Sequence, residues 1–265
     1  MCPGRESNPH GRFWPRDFKS LVSTISPPRL VRAGLPASAI RRKVRKKTYL
    51  CGTKDMIKAI FFDMGGVLLP LFPDRCIKAY QEIAGFQDVD KYLDPCHHHG
   101  FFMDVEAGTI DTDTFIAECI RHCAPGTTRE TILRCHDHFF GTPAPDDVAL
   151  VKELSRDYDI FLLSNNNGLS MMLHEPNFER AGLPLDKSFK KMFLSHEMKL
   201  LKPNPEIYRR AIEESGYNAD EILFIDDSQK NVDGGNSAGI HSILYHPGKD
   251  SLRTLVTDAL QQLNG

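Results

Sequence analysis

The sequence lacks long hydrophobic runs and has no regular cysteine framework. No segment approaches the roughly 18 consecutive apolar residues that a membrane-spanning helix needs, and no positively charged start precedes an apolar core as in a secretory signal. The seven cysteines are odd in number and irregularly spaced, which favours reduced thiols over a disulfide-stapled secreted fold. These absences predict a soluble, cytoplasmic protein with no membrane attachment.

Charge is divided unevenly along the chain. The formal net charge is -2, but residues 1–55 hold thirteen Lys or Arg against three acidic residues, and the other residues hold 20 against 32. The basic stretch has no sustained helical or strand period, so we predict that it is disordered. A nucleic-acid-binding arm and a transit peptide are two functional interpretations. We favour a third, an extension upstream of a natural start at Met56, and expect no nucleic-acid partner.

From Met56 onward, short apolar runs alternate with amphipathic stretches. This alternation predicts an α/β fold with a Rossmann-like parallel sheet that helices cover on both faces. One helix is marked by Asn204 as its N-cap, Pro205 at its first position and Gly216 after its end. The predicted strands cover residues 57–62, 160–163, 192–194, 222–225 and 242–245.

The stretch from near Asp74 to Pro145 contains no convincing strand. Its segments 75–84, 112–123 and 128–139 have apolar residues at spacings of three and four, which predicts helices. An insert in the first crossover stands over the carboxyl ends of the strands, where such sheets bind ligands. We therefore predict a basic extension (1–55), an α/β core (56–74 and 143–265) and a small helical cap (75–142).

Polar residues follow the first two predicted strands. Asp63 ends the first apolar run, and Gly65 and Gly66 let the backbone turn sharply and approach a ligand closely. Ser164 and Asn165 end the second run, and their hydroxyl and amide groups can donate to phosphate oxygens. Taken alone, the first motif is equally consistent with a turn-forming Asp-x-Gly-Gly.

A lysine and a pair of acids complete the pattern. Lys202 precedes a helix whose N-terminus favours anions, although a lone lysine is more often a solvated surface charge. Asp226 and Asp227 end the fourth strand and repel each other unless a cation or a proton holds them. Hard oxygen ligands of this kind suit magnesium, whereas helix capping explains only one of the two acids.

The order of these motifs at successive strand ends resembles the haloacid dehalogenase (HAD) superfamily over nearly all of residues 56–247. The pattern is also similar to the bacterial alpha-D-glucose-1-phosphate phosphatases, which have a helical cap. That closer likeness rests on Leu163-Ser164-Asn165, Leu194-Ser195-His196, Lys202-Pro203 and the diacid followed by Asn231. The resemblance implies a Mg2+-dependent hydrolase of phosphoric monoesters that acts on a small phosphorylated metabolite, with a sugar phosphate such as alpha-glucose-1-phosphate favoured.

The resemblance also implies roles for the residues at the strand ends. Asp63 is the nucleophile and forms an aspartyl-phosphate, while Ser164, Asn165 and Lys202 hold the phosphoryl oxygens. Lys202 also screens Asp63 from Asp227. Magnesium is held by the Asp63 carboxylate, the Gly65 carbonyl, Asp227, and Asp226 through bound water, with Asn231 supporting this shell.

Gly65 departs from the superfamily pattern, which has at this position an acid that protonates the leaving group. General acid catalysis is typically worth roughly 100- to 10,000-fold in rate. We therefore expect the enzyme to favour leaving groups that need little protonation, such as those of anomeric, aryl or acyl phosphates. Two alternatives are a HAD-like protein that binds phosphate ligands or partners without catalysis and a dehalogenase, which has no need of the diacid.

The predicted cap is rich in cysteine and histidine. By resemblance, His97, His98 and His99 face the active site and are candidate substrate contacts. The spacing of Cys119, His122 and Cys123 places them near one helix face, so a zinc site is an alternative to ordinary buried thiols. Nothing in the sequence fixes the oligomeric state, and we expect a monomer or a homodimer.

Overall fold

The computed structural model describes residues 56–93 and 98–265. The basic extension 1–55 lies outside the described residues. The strands are β1 (Ala59–Phe62), β2 (Asp159–Ser164), β3 (Lys191–Leu194), β4 (Ile222–Asp226) and β5 (His241–Leu244). They form one parallel sheet in the order β3-β2-β1-β4-β5, and each lies within one or two residues of its predicted bounds.

The described residues from 63 to 144 contain helices and isolated bridges but no strand. The helices are α1 (Pro73–Ala79), which a π-helical turn (Tyr80–Ala84) continues, α2 (Phe101–Glu106), α3 (Thr112–His122) and α4 (Arg129–Asp137). They surround an apolar cluster of their own, distinct from the two clusters on the sheet faces. The three predicted helical segments are therefore helical over most of their length, and the exact division at residues 75 and 142 stays a prediction.

The sheet is buried on both faces because alternate strand residues point to opposite sides. Ile60 and Phe62 pack on one face, whereas Ala59 and Phe61 pack on the other. The remaining helices are α5 (Pro145–Leu154), α6 (Gly168–Arg180), α7 (Leu185–Ser188), α8 (Ser195–Met198), α9 (Pro205–Ser215), α10 (Gln229–Ser237) and α11 (Leu252–Asn264). The first face packs against α5, α6, α7 and α11, and the second face packs against α8 and α9.

The helix α9 has the predicted ends. The Asn204 side chain accepts a hydrogen bond from the backbone N–H of Glu206 at 3.0 Å, Pro205 opens the helix, and Gly216 adopts a left-handed φ of 81° after the last turn. This N-cap fixes the chain direction just after Lys202.

Two neighbouring chain segments connect the helices α1–α4 to the sheet. The backbone N–H of Phe72 donates to the carbonyl of Phe139 at 2.7 Å, and that of Gly141 donates to Pro70 at 2.8 Å. The entering and leaving segments are thus paired as short antiparallel chains next to the end of β1. No helix in the described part of the chain is long and apolar enough to cross a membrane.

Candidate active site

The acidic residues predicted at the strand ends meet at the carboxyl edge of the sheet. Asp63 follows β1 directly, and Asp226 is the last residue of the neighbouring strand β4. Ligand oxygens of Asp63, Asp226 and Asp227 all lie within 4.8 Å of one another. Because β2 and β4 flank β1 on opposite sides, this cluster lies where the strand order reverses, which is the usual ligand position in such sheets.

Lys202 reaches the cluster from the segment before α9. Its side chain is fully buried, and its Nζ lies 2.6 Å from Oδ2 of Asp226 and 3.0 Å from Oδ2 of Asp63. The Nζ also donates to the carbonyl oxygen of Leu163 at 2.9 Å. Burial lowers the pKa of Lys202, but the two carboxylates outweigh burial and the pKa is raised. The ammonium group is therefore charged and fixed between two acids.

Asp226 is completely buried and holds Lys202 in place. Its Oδ1 accepts hydrogen bonds from the backbone N–H of Ser228 at 2.8 Å and from Nδ2 of Asn231 at 3.0 Å. Lys202 therefore contacts Asp226 as well as Asp63, and its charge opposes the rise in the pKa of Asp227, so the predicted screening of Asp63 from Asp227 stays a prediction. The ammonium approaches from the sheet face that carries Phe224, whose ring centroid lies 5.3 Å from Nζ.

The other two acids carry raised pKa values. Burial raises the pKa of Asp63 to about 7, with Lys202 opposing and the neighbouring acids adding to the shift. Burial and Asp226 raise the pKa of Asp227 to about 6. Converging hard oxygen donors that resist deprotonation fit a divalent cation, because the cation replaces the protons and relieves the repulsion.

Ser164 and Asn165 lie beside Asp63 and Lys202 at the end of β2. Ser164 is buried, and its hydrogen bond to Asp63 lowers the pKa of that acid. The Asn165 side chain is bonded at both ends to the backbone of Lys202, donating to the carbonyl at 3.0 Å and accepting from the N–H at 2.8 Å. Its amide therefore orients the lysine segment, and the predicted contact with a phosphoryl oxygen stays a prediction.

The two glycines after Asp63 face different neighbours. Gly66 has a left-handed φ of 76°, and a Cβ there would overlap the carboxylate of Asp227. A Cβ on Gly65 would lie 3.2 Å from Leu71 Cδ2 and 3.6 Å from Phe140 Cε1. A side chain at position 65, where the superfamily has its acid, would therefore face apolar side chains. The contact of the Gly65 carbonyl with the metal stays a prediction.

The structure describes two of the three cap histidines that were predicted to contact substrate. His97 lies outside the described residues, and His99 is exposed. His98 pairs with Glu106, with Nδ1 2.9 Å from Oε1. Sequence reasoning missed Glu106, because its position opposite His98 depends on how α2 follows the loop before it.

The zinc alternative finds no support in the described residues. Only the three aspartates at the strand ends form a group of metal-ligating side chains in that part of the chain. Cys119 is buried and unbonded to other cysteines, as is Cys135. Burial raises the pKa of the Cys119 thiol well above its usual range, so these cysteines behave as small apolar core residues.

Comparisons with known proteins identify the family. A family model for haloacid dehalogenase-like hydrolases matches residues 57–239. The chain is 31% identical over 196 residues to the D-ribitol-5-phosphate phosphatase of Bacteroides thetaiotaomicron. The match covers 74% of this chain and 95% of that protein.

Two solved structures resemble the fold closely. A HAD family enzyme from Bacteroides thetaiotaomicron, in complex with magnesium and inorganic phosphate, is 30% identical with a TM-score of 0.68, over 73% of this chain and 96% of that one. A HAD-like hydrolase from Porphyromonas gingivalis is 31% identical with a TM-score of 0.71, over 78% and 98%. These likenesses confirm the predicted family and fold and agree with the predicted phosphatase class and magnesium cofactor. The chain belongs to the haloacid dehalogenase-like hydrolases.

Proposed function

We propose that this hydrolase is a magnesium-dependent phosphatase that removes the phosphoryl group of a small sugar or polyol phosphate through an aspartyl-phosphate on Asp63. One observation carries the proposal. The Asp63 carboxylate lies 3.0 Å from the buried ammonium of Lys202, within a cluster of three carboxylates at the switch point of the sheet. A nucleophilic acid, a fixed cation and a cation-binding diacid are the groups that phosphoryl transfer needs.

Each group has a role that follows from its surroundings. Asp63 attacks phosphorus, and a buried Lys202 offsets the charge that develops on the phosphoryl oxygens. Asp63 and Asp227, with the Gly65 carbonyl, would hold magnesium, which supplies charge neutralisation at the phosphoryl group. Asp226 holds Lys202 in position, and Asn231 holds Asp226. Ser164, buried beside Asp63, offers a hydroxyl to a phosphoryl oxygen.

The substrate class rests on the relatives and on the helices that precede β2. The relative from Bacteroides thetaiotaomicron is named for D-ribitol 5-phosphate, an open-chain phosphate ester. Helices α1–α4 would form the cap over residues 75–142 that selects the substrate. We therefore place polyol 5-phosphates beside alpha-glucose-1-phosphate as candidate substrates.

Phosphate release from D-ribitol 5-phosphate and alpha-glucose-1-phosphate tests the proposal. We expect release that needs magnesium, stops with EDTA and is lost in Asp63→Asn, which keeps the shape of the side chain but removes the nucleophile. Asp74→Asn, an exposed acid at the start of α1, is the matched control and should keep full activity. Binding of magnesium and phosphate without turnover of any ester would instead favour a non-catalytic phosphate-binding protein.

A further inference from the structure

An alkyl phosphate needs a proton donor at this site, because its leaving oxygen departs as an alcohol. Gly65 has no side chain to supply one. The space that a side chain at Gly65 would enter is bounded by Leu71 and Phe140, neither of which carries a proton donor. A donor for the leaving group must therefore come from another segment.

His98 and Glu106 form a pair in the segment that reaches and forms α2. The Nδ1 of His98 lies 2.9 Å from Oε1 of Glu106, and each side chain is 17% exposed. A carboxylate at this distance accepts the Nδ1–H, which fixes the ring orientation and directs Nε2 away from Glu106. The pair is largely shielded from solvent, with part of each side chain still exposed.

Contacts on two sides place this pair over the carboxyl edge of the sheet. On one side, the His98 ring centroid lies 5.8 Å from that of Phe139, which lies 4.8 Å from that of Phe140, the residue facing Gly65. On the other side, Ser195 Oγ donates to the Glu106 carbonyl at 2.7 Å.

The second contact continues to the end of β2. The backbone N–H of Asn166 donates to Ser195 Oγ at 2.9 Å, and Asn166 lies two residues after Ser164. The pair thus lies between the turn that carries Gly65 and the strand end that carries Ser164. A leaving group that extended from Asp63 toward these segments would approach the pair.

His136 on α4 and His174 on α6 do not fit the role of proton donor. His136 is buried and bonds to Ser170 Oγ at 3.1 Å, and burial lowers its pKa to about 3, with His174 and His98 adding to the shift. Burial also lowers the pKa of His174 to about 4. Both rings are neutral under working conditions and point into packed surroundings.

We propose that His98, oriented by Glu106, protonates the leaving oxygen in place of the acid that Gly65 lacks. This inference rests on the proposed phosphatase function. In the first step an Asp63 oxygen bonds to phosphorus, the bond from phosphorus to the leaving oxygen breaks, and the Nε2 proton moves to that oxygen. In the second step a water oxygen bonds to phosphorus, the bond from phosphorus to the Asp63 oxygen breaks, and Nε2 accepts the water proton.

His98→Gln separates this role from a structural one. With D-ribitol 5-phosphate, we expect the rate of the first turnover to fall by about 100-fold or more, the usual range for loss of a general acid. With p-nitrophenyl phosphate, whose leaving group departs as an anion, we expect a burst of nitrophenolate within about threefold of the wild-type rate. His241→Gln, at the first residue of β5 and so at the opposite edge of the sheet, is the matched control and should leave both rates unchanged.

Glu106→Gln tests the orienting carboxylate. Losing the negative charge beside His98 lowers the pKa of the ring, so the alkaline limb of kcat/KM for D-ribitol 5-phosphate should move to lower pH. A purely structural role would lower the rate without moving that limb.

Two outcomes would overturn the proposal. Equal loss of the first turnover with both substrates in His98→Gln would mean that the ring only supports the fold, and full activity on D-ribitol 5-phosphate would mean that it is not the acid. Failure of the phosphatase function itself looks different, because the wild-type protein would then give neither phosphate release nor a nitrophenolate burst.

Discussion

The Nζ of Lys202 lies 2.6 Å from Oδ2 of Asp226, and both side chains are fully buried. A buried ammonium is stable only when its charge is matched, and Asp226 supplies that match without using Asp63. The second contact of Lys202, to Asp63 at 3.0 Å, is then available to a ligand. The pair thus holds a cation in place where the phosphoryl group would arrive.

Lys202→Met tests this arrangement. Removing the ammonium leaves the buried Asp226 without a charge partner, so we expect the free energy of unfolding to fall by about 3 to 5 kcal/mol. We also expect kcat to fall by about 100-fold or more, because the charge opposite the phosphoryl oxygens is lost. Urea unfolding and steady-state kinetics measure the two effects. Lys152→Met, at an exposed site on α5, should change neither, and near-normal turnover by Lys202→Met would refute the role.

Much of the fold was readable from the sequence because a parallel sheet buried on both faces needs continuous apolar strands. The runs ending at Phe62, Leu163 and Ile225 satisfy that need, and the polar residue after each run marks the ligand edge. The Lys202 partner was also readable but was missed. Asp226 shares the alternation of Ile222 and Phe224, which face α9, and Lys202 immediately precedes that helix.

Other features depend on tertiary contacts that local patterns do not encode. Glu106 and His98 are brought together by the turn before α2, and Ser195 meets Glu106 across 89 residues of sequence. The Asn165 amide bonds to the backbone of Lys202, 37 residues further along the chain. Such pairings follow from how separate segments pack, and a single sequence offers no signal for them.

Gly66→Ala tests how closely the first turn approaches the diacid. Alanine at a left-handed φ is strained by about 1 to 2 kcal/mol wherever it occurs, but at position 66 its Cβ would also displace Asp227. Gly126 has a φ of 87° and no atom within 4 Å of such a Cβ, so Gly126→Ala carries the strain alone.

We expect Gly66→Ala to lose at least as much stability as Gly126→Ala, and the two variants to differ in magnesium affinity. Isothermal titration should show Gly66→Ala weaker by about 10-fold or more, as for displaced metal ligands, and Gly126→Ala unchanged. Equal magnesium affinity in the two variants would show that Asp227 does not hold the metal.

The pKa values of Asp63 and Asp227 predict a pH-dependent stabilisation by magnesium. Both folded-state pKa values, about 7 and about 6, lie above the ordinary 3.8. Between about pH 4 and pH 7 the folded state therefore keeps protons that the unfolded state has released, and the free energy of unfolding contributed by these groups falls as pH rises.

Magnesium replaces those protons, so its stabilising effect should grow over the same range. We expect the difference in Tm between magnesium and EDTA to be small at pH 5 and largest near pH 8, as measured by differential scanning calorimetry. Asp227→Asn should flatten the dependence. A difference in Tm that is constant with pH would mean that the metal does not compete with protons at these acids.

Gly65→Asp tests whether the missing acid can simply be restored. Its Cβ would lie 3.2 Å from Leu71 Cδ2 and its carboxylate would face Leu71 and Phe140, so we expect the free energy of unfolding to fall by about 1 to 3 kcal/mol. Gly65→Ala carries the steric part alone and should lose less. Because the new carboxyl group is held against apolar side chains, kcat for D-ribitol 5-phosphate should stay at or below the wild-type value. A tenfold or greater gain, about 1.4 kcal/mol of barrier, would show that position 65 can still hold the acid and that the packing argument is wrong.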